Sequence, residues 1–146
     1  MPDDSDNLQS DEALVSNDEF VLRRIHKNHC SSDVPSNFHF AAFRPTRDDE
    51  DGISVFRERI ISAAEVASLG RKPEEYFVVR LSVAALAQLG LSVVPDVDAK
   101  APAGHAFIPE LGLTKYQRNK QSLKDVLLEL ARMAANSIVH VPRVPQ

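Results

Sequence analysis

Between Phe20 and the C-terminus, short apolar runs alternate with polar, turn-forming stretches, and each run has the length of one strand or a few helical turns. Phe20-Val21-Leu22-Arg23-Arg24-Ile25 is aromatic and β-branched and predicts a first strand. His26 to Asn37 is rich in Asn, Ser, Asp and Pro, the chemistry of a loop. Phe38-His39-Phe40-Ala41-Ala42-Phe43 is mostly apolar and predicts a second strand. Arg44 to Gly52 closes in Asp51-Gly52, a turn signal, and Ile53 to Glu58 then alternates as a short strand. Tyr76 to Leu81 is almost continuously apolar, the pattern of a central strand covered on both faces. Leu91 to Val94 and His105 to Ile108 predict short strands stopped by Pro95 and Pro109, and Ser137 to Val141 a last one.

Helices have a different signature. Ser62-Ala63-Ala64-Glu65 has capping-box spacing, in which the serine hydroxyl accepts from the Glu65 N–H while the Glu65 carboxylate reaches back. Gly70 stands where a left-handed C-terminal cap belongs. The pattern returns twenty residues on: Ile61 to Gly70 and Leu81 to Gly90 agree at five of ten positions. Each reads as a short capped helix that needs Ser first and Gly last. Thr114 to Asn136 predicts the longest helix, with Leu123, Val126, Leu127, Leu130, Met133 and Ala134 at the spacing of one buried face. Strands and helices in mixed order with short connections predict an α+β fold: a small mixed or antiparallel sheet, two short capped helices and one longer C-terminal amphipathic helix.

Charge changes the picture at the N-terminus. Residues 1–19 hold seven acids and no Lys or Arg, leaving 17 bases against 14 acids in the remainder of a chain whose net charge is −4. Such a segment buries too little apolar surface to offset its ordering entropy. We therefore expect a disordered acidic tail over 1–19 and a single domain over 20–146. No apolar stretch approaches the roughly 20 residues that span a bilayer, and no signal-peptide pattern is visible. A cytoplasmic protein without membrane contact is expected. Oligomeric state is not set by any pattern in the chain.

Candidate chemistry is sparse. His26, His29 and Cys30 lie close together, with His39 and His105 elsewhere, but there is no second ligand pair of the kind a zinc site uses, so no metal and no cofactor is expected. Cys30 would need a lowered pKa to act as a nucleophile. Arg23, Arg24, Arg44, Arg47, Arg57 and Arg59 could grip phosphate or carboxylate, or pair with Asp48, Asp49, Glu50, Asp51 and Glu58, and the second reading is preferred. Lys115, Arg118, Lys120 and Lys124 form a basic stretch at a helix start, where cations oppose the dipole, with Tyr116 interleaved as in nucleic-acid contacts. Phosphate-cradling glycine loops, HExxH and GxSxG are absent from the sequence.

Leu22-Arg23-Arg24-Ile25-His26, Ala42-Phe43-Arg44-Pro45-Thr46, Ile53-Ser54-Val55, Leu89 to Asp96 and Gly104-His105-Ala106 resemble a small bacterial family of uncharacterised proteins. The family has no established activity and so implies no residue role. By analogy with the scattered residues of ADP-ribosyltransferase-type clefts, Arg23, Arg24, His26, Ser54 and His105 are expected to serve one anionic-ligand site. The preferred reading is a non-catalytic binding or accessory module with a protein partner. The alternatives are a nucleotide or other anion site at those five residues, catalytic or not, and nucleic-acid binding through 115–124.

Overall fold

The computed structural model describes residues 15–30, 38–69 and 72–142. Six strands, β1 (Phe20–His26), β2 (Ile53–Arg57), β3 (Tyr76–Ser82), β4 (Val94–Pro95), β5 (His105–Ile108) and β6 (Ile138–His140), form one sheet in the order β4-β5-β2-β1-β3-β6. Every neighbouring pair is antiparallel. Four α-helices accompany it: α1 (Ala63–Ala67), α2 (Val83–Gln88), α3 (Leu113–Arg118) and α4 (Lys120–Ala135). The fold is α+β, and its sheet is antiparallel rather than mixed.

Side chains alternate across the sheet and divide it into two unequal layers. Val21, Ile25, Ile53, Val55, Val79, Leu81, Ala106 and Ile108 face the larger core, which Leu86 of α2 and Leu127, Leu130, Ala131 and Ala134 of α4 complete. On the other face Leu22, Phe56 and Val78 pack against Ile61 and the Ala63, Val66 and Ala67 side chains of α1. Phe77, Val78 and Val79 of β3 are all buried, as expected of a strand covered on both faces.

Local signals explain the helix ends. Ser62 accepts from the Glu65 N–H at 3.2 Å while Glu65 accepts from the Ser62 N–H, closing the capping box. Ser82 caps α2 in the same way through the Ala85 N–H. At its other end Gly90 has φ +81°, and the Gly90 and Leu91 amides donate back to Ala87 and Leu86, the paired bonds of a Schellman motif. The cap expected at Gly70 lies outside the described residues.

Four expectations are corrected. Phe38 to Phe43 is no strand: Phe38 makes one isolated bridge to Cys30, and Phe40–Phe43 is a 3₁₀ turn that buries Ala42 and Phe43. Apolar content without clear alternation marked burial there, not extension. Of the Leu91 to Val94 run only Val94 joins the sheet, where it forms the two-residue strand β4 with Pro95. The helix expected over 114–136 is broken at Asn119, whose φ of −123° ends α3 and begins α4. The Asn119 side chain donates to the Lys115 carbonyl, the competition with helix bonding that makes Asn a poor interior residue. Finally Val15 packs on the larger core and Glu19 is buried, so these two residues, counted with the acidic tail on composition, belong to the fold. Residues 1–14 lie outside those described.

Candidate functional site: a Ser–His–Asp relay and a basic groove

Of the five residues expected to share a ligand site, the structure brings two into contact. Ser54 on β2 and His105 on β5 face the same side of the sheet as Phe56 and Phe107, since Ser54 registers with Phe107 and Phe56 with His105. His105 Nε2 lies 2.8 Å from Ser54 Oγ, and His105 Nδ1 lies 2.7 Å from an Asp96 carboxylate oxygen. Asp96 follows β4 and is placed by its own amide, which donates to the His105 carbonyl at 3.0 Å.

The proton inventory orders this chain of groups. A carboxylate only accepts, so the neutral imidazole carries its hydrogen on Nδ1 toward Asp96. Nε2 is then the acceptor for the Ser54 hydroxyl. The Asp96 carboxyl is held below its ordinary value, chiefly by the Asp98 backbone N–H at 2.9 Å and then by His105. The imidazole sits between the rings of Phe56 and Phe107, with centroids 5.2 and 4.8 Å away. Side-chain exposures of 13 % for His105 and 15 % for Asp96 leave the relay partly open, beyond the patch that α1 covers.

The other three residues have separate places. Arg23 faces the opposite side of the sheet, where Nε and Nη2 donate to the Ala42 carbonyl and Nη1 donates to the Ser54 carbonyl at 2.8 Å. Burial lowers its pKa to about 10, which leaves it cationic at neutral pH. Its role is to tie the 40–43 turn to the backbone of β2 at Ser54. Arg24 shares the relay's face, stacked 4.6 Å over Tyr76, and its buried Nη1 has no hydrogen-bond partner among the described residues. His26 bonds Glu75 through Nε2 at 3.1 Å and accepts from the Asn28 N–H through Nδ1. Among the described residues no three His, Cys, Asp or Glu side chains come together as a metal site.

Of the arginines set against nearby acids, Arg57 pairs with Glu19, not with the 48–51 cluster: its Nε and Nη2 donate at 2.9 and 2.7 Å in a buried, two-pronged contact. Glu58 is bound by Arg80.

The basic stretch divides as well. Lys120 and Lys124 on α4 line a cleft of about 480 Å³, with Tyr116 and Gln117 of α3 on one side and Phe40 and Arg44 on the other. The Arg44 guanidinium stacks on Phe40 at 5.4 Å. The lining contains three cations and no carboxylate, and none of the three forms a salt bridge among the described residues. Lys115 and Arg118 lie on α3, exposed and outside the lining. Asn119 makes no side-chain cap at the start of α4, whose first turn holds no acid. No sequence pattern assigns Asp96 a chemical role, although pairing β4 with β5 sets it opposite His105. Arg44, one of six arginines that could grip an anion or pair with nearby acids, joins the lysines only through the turn at Phe40–Phe43. Comparison of the chain with known protein families, curated proteins and solved structures finds no match. No helix of the described residues is long and apolar enough to cross a membrane.

Proposed function

We propose that the protein is a binding module for a phosphate-bearing ligand of nucleotide size, taken in the groove between the Phe40–Phe43 turn and helices α3 and α4. The observation that carries this is the lining: Arg44, Lys120 and Lys124 converge on one cleft with no carboxylate to neutralise them. Cations at the start of a helix weaken it, and among the described residues no ion pair compensates that cost. An anion in the groove would supply that compensation. No side chain caps the start of α4, and a helix start favours a nearby phosphate through its dipole. The volume lies within the range of small-molecule sites.

Lys115 and Arg118 favour a second reading, in which a longer anion continues along α3. The two readings separate in one titration series. A mononucleotide that stabilises the protein, with Lys120→Glu/Lys124→Glu abolishing the effect, supports the groove. Binding confined to single-stranded oligonucleotides, weakening with salt at a slope of about 0.7 per phosphate contacted, supports the longer site.

A further inference from the structure

We propose that Ser54, His105 and Asp96 form an acyl-transfer site in which the Ser54 hydroxyl is a nucleophile toward small apolar carboxylic esters. The inference is independent of the groove, which lies against α3 and α4 and shares no residue with it.

Three features carry it. The ring nitrogens are used in the order that base catalysis needs: Nδ1 is held by a carboxylate and Nε2 faces the hydroxyl, at 2.7 and 2.8 Å. Each member is separately fixed. Arg23 grips the Ser54 carbonyl from the far side of the sheet, Phe56 and Phe107 flank the imidazole, and the Asp98 amide holds the other Asp96 oxygen. The relay also remains partly exposed: Ser54, His105 and Asp96 are each half-buried rather than sealed in the core. The adjoining phenylalanine rings suit a short apolar acyl group.

In the first step Ser54 Oγ bonds to the ester carbonyl carbon and its proton passes to His105 Nε2. The tetrahedral intermediate collapses by breaking the bond to the alkoxy oxygen, which leaves as an alcohol with the proton from Nε2. Water then attacks the Ser54 ester with His105 again taking a proton. The carboxylic acid departs and Ser54 Oγ recovers its hydrogen. Ser54 and His105 are the catalytic residues, and Asp96 is a positioning residue that fixes the imidazole tautomer.

The test is reaction of the full chain with an alkyl fluorophosphonate, which places phosphorus where the carbonyl carbon would sit and releases fluoride. Intact mass and peptide mapping read the adduct. The expected result is one adduct at Ser54, with a labelling rate lowered by roughly 10²–10⁴-fold in His105→Gln. Asp96→Asn should slow labelling too and remove the low-field proton resonance of the Nδ1–H. No adduct on the wild-type chain, an adduct mapped elsewhere, or an equal rate in His105→Gln would overturn the proposal. An Asp96→Asn rate equal to wild type would overturn the part assigned to Asp96. Because the wild-type chain is itself the primary sample, misfolding of a variant cannot hide the outcome.

Discussion

Arg57 is a cation at the end of β2, only 2 % exposed, and Glu19, 8 % exposed, meets it with two hydrogen bonds. Removing Glu19 takes both of these charge-assisted bonds from the buried guanidinium. Glu19→Ala is therefore expected to cost about 1.5–3 kcal/mol in urea denaturation. Burial raises the Glu19 pKa, but the bonds from Arg57 and the Ser16 amide outweigh it and hold the value below the ordinary 4.5. A depressed carboxyl binds fewer protons folded than unfolded, so its contribution is complete above that ordinary value and drains away as pH falls through the folded one. Melting temperature should fall in that acid range, and the acid loss attributable to this pair should be absent in Glu19→Gln. None of this was legible in the chain. The two residues are 38 apart, and Glu19 reads as the last acid of a tail. Gly104 is a second case: with φ +81°, an added Cβ would lie 3.0 Å from Ile61 Cγ2 and 3.4 Å from the Arg57 carbonyl. Gly104→Ala should lower stability and disturb the neighbouring His105.

At the scale of elements, what could be read locally matched the structure, and what depended on distant partners did not. The two serine caps, the cap at Gly90 and strands β1, β2, β3 and β5 are set by bonds or alternation within a few residues. Ser62→Ala should accordingly cost about 1 kcal/mol, measured by thermal or chemical denaturation. The 38–43 segment misled because an apolar run is compatible with any buried conformation, and the Arg23 bonds to Ala42 that fix it come from another element. The break at Asn119 was partly visible, since residues 117–122 contain no apolar side chain to hold a continuous helix against the core. That break aims the start of α4 at the groove.

On the scale of the whole molecule, function depends on strand order. Ser54 and His105 stood out in the sequence, but only the β4-β5-β2 neighbourhood adds Asp96, while alternation along β1 sends Arg23 to the other face. Likewise the cationic run 115–124 was legible as charge, whereas the cleft that selects Lys120 and Lys124 and recruits Arg44 is a product of packing. The small negative net charge conceals this concentration of cations, none of which forms a salt bridge among the described residues. The most direct measurement is a thermal-shift titration of the full chain with nucleoside mono-, di- and triphosphates, alongside the Lys120→Glu/Lys124→Glu variant. The predicted result is stabilisation approaching about 2.7 kcal/mol at a hundredfold excess over the dissociation constant, lost in the variant. A flat titration, or a shift that the charge reversal leaves untouched, would contradict the proposed groove.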